Sequence, residues 1–371
     1  MKITCDREKF LAAFQTAAAV APSRSPKPIL MNVKLEITDG VAVLMATDLE
    51  VGVRVEVSGV EADADGAAVL PINRFSAILR ESTDEQLRVE TDGQGIVVRG
   101  EHSEFNLPAE NPDEFPQVES FTESKFHEVP ARLLREMIRR TALATDTEST
   151  RYALGGVLLE LSGDSIIAVG TDGRRLAKME GPAQAIGGHE TGDNTTIVPT
   201  RAMQLIERCL SDGDAEIMLA ARANDVLVKS PRVTIYSRLV EGRFPKWRDV
   251  FPDKAGATKI EMTVGPTHAA VRQAAIVTSE ESRGIEFAFG EGKLVLTGRA
   301  AEVGQSRVEM PIAYDGEQIR ITLDPRYMID FLKVLDAEKT FSLYLTDGES
   351  AAVSYTDDGY GYVIMPLARD A

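Results

Sequence analysis

Arg132, Arg135 and Arg139 recur at i, i+3 and i+7 within the segment 131–140, while Leu133, Leu134, Met137 and Ile138 fall on the other side of the same helix. A helix of this kind buries one face and offers a row of guanidinium groups on the other. Such a row neutralises backbone phosphates without reading any base. A solvated helix face, with arginine chosen for helix propensity, gives the same pattern on one helix taken alone.

Other chemistries are poorly supplied. The chain has no GxxxxGK[ST] phosphate loop, GxGxxG, HExxH or GxSxG motif. His102, His127, His189 and His268 lie 25 to 79 residues apart, without a local metal spacing. Thr-Asp-Gly recurs at Thr38, Thr91, Thr171 and Thr346, but Asp-Gly at a strand end reads as a hairpin turn. Cys5 and Cys209 form no CxxC or Cys/His pattern and read as reduced, buried thiols. No catalytic residue, metal or cofactor is therefore expected.

With 371 residues, 43% of them apolar and 27% charged, the chain is globular and has room for two or three domains. The apolar stretch Phe10 to Pro22 follows Asp6, Arg7, Glu8 and Lys9, is interrupted by Gln15 and is too short to span a bilayer. It reads as an amphipathic helix of a cytoplasmic protein with no membrane partner. The formal charge of −17 opposes contact with a polyanion unless charge is segregated.

The elements that must position the arginines repeat along the chain. Val69–Phe75, Val198–Met203 and Leu323–Met328 each close a β-type run with Pro and Arg and open an amphipathic helix, and Pro71, Pro199 and Pro325 are 128 and 126 residues apart. Ala46-Thr-Asp48, Gly170-Thr-Asp172 and Leu296-Thr-Gly298 recur at a similar interval. Further helices are expected over Arg7–Val20, Ala131–Leu143 and Thr267–Val277, each followed by alternating runs. These runs pair Val33–Ile37 with Val41–Ala46, Gly156–Leu161 with Ile166–Gly170, and Ile285–Phe289 with Leu294–Gly298, through Asp-Gly, Gly-Asp or Gly-Glu turns. The chain thus reads as six units of strand, helix and about three strands. Boundaries fall in the aperiodic stretches 111–125 and 252–258, giving domains 1–125, 126–255 and 256–371.

The six helical segments carry a combined charge of +9, which leaves −26 for the rest of the chain. If they share one surface, it is basic on an acidic body. Nothing equips that surface for base readout: there is no helix-turn-helix or C₂H₂ pattern and no RNP aromatics, and Trp247 is the only tryptophan.

Over essentially its whole length the chain resembles the bacterial beta sliding clamp family. The residues that carry the likeness are Pro28-Ile-Leu30, Ala46-Thr-Asp-Leu-Glu50, Arg151-Tyr152, Gly170-Thr-Asp-Gly-Arg-Arg-Leu176, Leu239-Val-Glu-Gly-Arg-Phe-Pro245 and Tyr362-Val-Ile-Met-Pro366. The resemblance implies an α+β fold of three repeated clamp domains, each two βαβββ units. Helices would line a ring formed by a head-to-tail homodimer, with sheets outside. Twelve helices about 8–10 Å apart enclose a hole of about 25 Å, wide enough for duplex DNA, whereas six would leave roughly 5–10 Å.

By the same resemblance Arg24, Arg74, Arg151, Tyr152 and Arg201 face DNA, and the charge pattern adds Arg132, Arg135 and Arg139. The loop before Arg151 reads Asp-Thr-Glu-Ser-Thr over 146–150, more acidic than a loop touching DNA should be. A groove for a short hydrophobic motif is implied at Leu154, Thr171, Gly173, Arg174, Arg175, Leu176, Pro245, Val250, Val363, Ile364, Met365, Pro366 and Leu367. Its expected partners are the clamp loader complex, the DNA polymerase III alpha subunit, and other polymerases and repair proteins carrying the motif. Family chains usually end at or just after a basic and an apolar residue, whereas this one continues Ala368-Arg-Asp-Ala371. The subunit joint is matched by Phe105, Leu107, Ile276 and Val277, with Glu104 and Arg307 as a swapped ion pair across it. A repeat scaffold that binds only proteins, which an acidic exterior would suit, is the alternative to the ring.

Overall fold

The computed structural model describes residues 1–91, 95–146, 148, 153–192, 194–210, 213, 215–252, 256–279 and 282–367. Its α-helices are α1 (Arg7–Ala18), α2 (Ile72–Glu81), α3 (Ala131–Thr141), α4 (Thr200–Cys209), the short α5 (Trp247–Val250), α6 (Val264–Ala274) and α7 (Pro325–Lys333). Strand Lys2–Asp6 precedes α1, and Asn32–Thr38, Val41–Thr47 and Val51–Glu56 follow it. The same order, one strand before and three after, repeats at α2, α3, α4, α6 and α7. Two short strands, Val60–Ala64 and Gln184–Ile186, are additions to this scheme. Among the described residues no helix is long and apolar enough to cross a membrane.

Local chemistry explains most of these boundaries. Asp6 caps α1 by accepting the Lys9 N–H at 3.0 Å, and Asp324 caps α7 through the Arg326 N–H at 3.0 Å. Asp39 and Gly40 both have positive φ, 52° and 77°, which is the two-residue loop that matches strand twist. Glu291 and Gly292 repeat it at 54° and 70°. Helix α6 begins at Val264, earlier than the Thr267 start expected from sequence. Pro266 then lies in its first turn, where a backbone N–H has no helical partner to lose.

The chain packs as two compact units, 1–134 with 183–239 and 135–182 with 240–371. Each sequence third is therefore not one unit, and the reason is strand pairing. In the first unit Val51–Glu56 pairs antiparallel with Val233–Arg238, fusing strands from the first and middle thirds into a nine-stranded sheet. In the second, Arg175–Pro182 pairs with Tyr360–Ile364 and joins the middle and last thirds in the same way.

The first unit also holds a five-stranded sheet, ordered Val60–Ala64, Lys2–Asp6, Gln86–Thr91, Gly95–Arg99, Glu104–Pro108. Phe10 and Phe14 of α1 meet Phe75 of α2 at centroid distances of 5.8 and 5.1 Å, all three fully buried. The stretch 111–125 is less open than its composition suggests, because Phe115 and Val118 pack with Met45 and Val69.

The second unit holds a four-stranded sheet, ordered Gly304–Pro311, Lys293–Ala300, Ile285–Gly290, Ile319–Leu323. Phe331 of α7 is fully buried there, stacked on Tyr362 and Tyr360 at 5.1 and 5.6 Å and edge-on to Phe341 at 5.3 Å. Phe331→Ala is expected to lower unfolding free energy by about 3–5 kcal/mol, as truncation of a packed aromatic does. A denaturant midpoint unchanged from the parent would show that this cluster is not central to the unit.

Candidate nucleic-acid face, partner groove and subunit edge

Helix α3 divides as its pattern requires. Leu134, Met137 and Ile138 are buried, Arg132 and Arg139 are exposed, and Arg135 is half-buried. Arg140, which the charge count grouped with them, belongs instead to the core. Its guanidinium pairs with Asp358 at 2.7 Å and Glu136 at 2.9 Å and lies 5.3 Å from the Tyr360 ring centroid. The Tyr360 hydroxyl in turn donates to the Arg140 carbonyl at 3.0 Å.

Among the other expected phosphate ligands, Arg24 and Arg74 are exposed. Arg201 is exposed as well, but it is held by Asp48 at 2.8 Å and the Val20 carbonyl at 3.3 Å. A phosphate at Arg201 would have to share it. Arg151 and Tyr152 lie outside the described residues, as do residues 368–371 and most of the acidic loop 146–150.

The groove residues gather in the second unit around one turn. Thr171 Oγ1 donates to the Arg175 carbonyl at 2.6 Å and accepts the Gly173 N–H at 3.1 Å, while Asp172 accepts the N–H groups of Arg174 and Arg175. Gly173 has φ +86° and an open position for a Cβ, so glycine is the residue suited to this corner. These bonds make Asp172 a turn-former rather than a reactive carboxylate. The first unit contains the same turn at Thr47, Asp48 and Val51, but there Leu49 carries the positive φ, 78°.

Strand pairing then sets Arg175 opposite Ile364, and the Met365 N–H donates to the Arg174 carbonyl at 2.9 Å. Val363, Ile364, Leu176, Thr171 and Leu154 are buried. Pro245, Pro366 and Leu367 are half-buried, while Gly173, Arg174, Met365 and Val250 are exposed, so the last two offer the accessible apolar surface. Methionine repacks at low cost and suits a site with several ligands.

The half-buried Arg175 is held on several sides. Its N–H groups go to Asp172 at 3.0 Å, Asp330 at 2.5 Å, the Tyr362 hydroxyl at 3.3 Å and the Leu143 carbonyl at 2.6 Å, and the Tyr327 ring lies 4.6 Å away. Asp330 was not singled out by sequence. Its partner is 155 positions away, and no local signal connects them.

Two sheet edges complete the picture. Glu104–Pro108 ends the five-stranded sheet of the first unit and exposes Phe105, with Leu107 half-buried. Gly304–Pro311 ends the four-stranded sheet of the second unit, which also carries Ile276, 76% exposed, and the half-buried Val277. Within the chain Glu104 pairs with Arg99 at 2.7 Å, and Arg307 pairs with Glu309. Hydrogen bonds from Arg99 and Asn106 hold the Glu104 carboxyl below its ordinary range. A Glu104–Arg307 pair across a joint would therefore exchange partners rather than pair free charges.

Burial pushes the Cys5 thiol up to about 12 and the Cys209 thiol up to about 11, so neither is a thiolate near neutral pH. His127 and His189, 62 residues apart, do meet, with Nδ1 atoms 2.7 Å apart in the core. His189 Nε2 accepts the Ala221 N–H at 3.1 Å, which makes the pair a structural hydrogen bond. Among the described residues no group of three or more His, Cys, Asp or Glu could hold a metal ion.

Comparison with known proteins gives one family throughout. Residues 1–119, 128–246 and 248–368 match the N-terminal, central and C-terminal domains of the DNA polymerase III beta subunit. The chain is 30% identical to the beta sliding clamp of Pseudomonas putida over 375 residues and 28% identical to that of Escherichia coli K12 over 370, covering 99% of this chain and 100% of each relative. The crystal structure of a Pseudomonas aeruginosa sliding clamp bound to griselimycin superposes with a TM-score of 0.91 at 28% identity over 99% of both chains. With three consecutive domain matches, two βαβββ units to each domain and full-length relatives of one kind, the chain belongs to the DNA polymerase III beta subunit family, the beta sliding clamps.

Proposed function

We propose that two copies of this chain close head to tail into a ring around duplex DNA, and that the ring tethers replication and repair proteins without catalysing a reaction. The observation that carries this is the pair of open sheet edges, the first exposing Phe105 and the second flanked by the exposed Ile276 of the turn Ala275–Val277, on a chain of the sliding clamp family. Unpaired edges invite strand addition. The far edge of the five-stranded sheet, Val60–Ala64, is instead guarded by Glu61 and Asp63. Phe105 and Leu107 of one copy would meet Ile276 and Val277 of the next, with Glu104 and Arg307 setting register.

Inside the ring Arg24, Arg74, Arg132, Arg135, Arg139, Arg151, Tyr152 and Arg201 would touch phosphates. A closed ring cannot leave sideways, so these contacts can be weak and mobile. The groove around Met365 and Val250 would take the hydrophobic motif of the clamp loader complex, the DNA polymerase III alpha subunit and other polymerases or repair proteins. Griselimycin, which the Pseudomonas aeruginosa relative binds, would occupy the same groove and so probe it. We place the protein in the cytoplasm, with domain limits at 1–125, 126–255 and 256–371. Sedimentation equilibrium tests the assembly: twice the chain mass of 40.4 kDa is expected, and a monomer at micromolar concentration contradicts it.

A further inference from the structure

Helix α5 cannot hold its shape unaided. It has four residues, far below the length at which a helix is stable in isolation, and no side chain caps its start. What anchors it is Glu160, on the strand Gly156–Ser162. Glu160 Oε1 accepts Trp247 Nε1–H at 3.1 Å and an Arg248 N–H at 2.9 Å, and Oε2 accepts a second Arg248 N–H at 2.6 Å. The Arg248 guanidinium lies 4.2 Å from the Trp247 ring centroid, so cation, ring and carboxylate lock together. Trp247 is 8% exposed, whereas Val250, at the other end of the same turn, is 47% exposed. One carboxylate thus fixes the buried end of a turn whose open end supplies the groove rim.

We propose that Glu160 is a positioning residue for partner docking: it sets the pose of α5, and with it the Pro245 and Val250 side of the groove, without touching the ligand. This rests on the reading of the groove given above. Burial by itself would push the Glu160 carboxyl up, but the hydrogen bonds from Arg248 and Trp247 outweigh it and hold it below the ordinary glutamate range. The anchor therefore stays charged at neutral pH and is lost only as pH falls through that depressed value. The Arg248 side chain is 60% exposed, and an ion pair so open to water adds little to global stability. Its effect should fall on the local pose.

Trp247 is the only tryptophan, so intrinsic fluorescence reports on α5 directly. The full-length chain and its E160A, E160Q, R248L and E160A/R248L variants would be titrated with griselimycin by calorimetry, and the emission of each recorded without ligand. Removing the anchoring hydrogen bonds in E160A is expected to weaken binding about tenfold and red-shift Trp247 emission, with an almost unchanged melting temperature. E160Q, which keeps an acceptor for Trp247, should lose roughly threefold. The double variant should be no weaker than E160A, because both changes break one unit. Binding by E160A within about twofold of the parent, or equal losses in E160A and E160Q with unshifted emission, overturns the proposal. If E160A does not fold, R248L decides by the same criteria. A parent chain that does not bind griselimycin overturns the groove reading itself, a result distinct from parent binding that E160A retains.

Discussion

Replacing Arg132, Arg135 and Arg139 together by alanine should lower the steepness with which log K for duplex DNA falls against log salt by about 2–3 units, since each neutralised phosphate contributes roughly 0.9. Binding to open, linear DNA at low salt should weaken by about two orders of magnitude, and uniformly across sequences, because phosphates carry no base information. Stability should hardly change from the substitutions at the exposed Arg132 and Arg139, so any loss falls at the half-buried Arg135. Arg140→Ala is the matched control. It removes one arginine charge from the same helix but takes it from Asp358 and Glu136, so it should cost stability and leave the salt dependence alone. Filter binding or anisotropy across a salt series reads both. Equal salt slopes for the triple variant and the parent would remove α3 from the DNA-facing surface.

Ile276→Asp should convert the proposed dimer to monomer. At 76% exposure the isoleucine contributes little to the unit that carries it, so the substitution leaves folding intact. At a joint between copies it would put an unpaired carboxylate into an apolar contact, at a cost of about 2–4 kcal/mol for each joint. A head-to-tail ring has two identical joints, so the penalty counts twice and the dissociation constant should rise by more than about a thousandfold. Analytical ultracentrifugation would then show the 40.4 kDa chain alone. A dimer that survives the substitution would move the interface elsewhere.

The elements of this fold were largely legible before any coordinates, because their signals are local. Helix periodicity placed the long helices to within a few residues, and Asp39-Gly40 is a hairpin turn that a two-residue motif can specify, whereas the third such hairpin turns at Glu291-Gly292, one residue on from the Gly-Glu read in the sequence. The two continuous sheets were not legible. Val51–Glu56 with Val233–Arg238, and Arg175–Pro182 with Tyr360–Ile364, pair across nearly half the chain, and a strand's alternation says which face is buried but not which strand lies beside it. Hence the repeat was visible and the division into two packed units was not.

The site shows the same split. The Thr171 turn and the Val363–Leu367 tail stood out through family motifs, and α3 through its arginine row. Arg140 sits at i+3 from Met137, on the border of the apolar stripe, where one residue's rotation decides between solvent and core. Glu160 and Asp330 carry no sequence signal, since their importance lies in the partners Trp247, Arg248 and Arg175 that only the folded chain brings to them.

Retention on DNA by enclosure is a topological property of a closed ring. Labelled chain is loaded by a clamp loader onto nicked circular DNA, freed of unbound protein by gel filtration, and then followed before and after a single restriction cut. A closed, sliding ring predicts retention on the circle and loss from the ends once the DNA is linear, at the same salt concentration. Equal retention on both forms would mean that affinity rather than enclosure holds the protein to DNA.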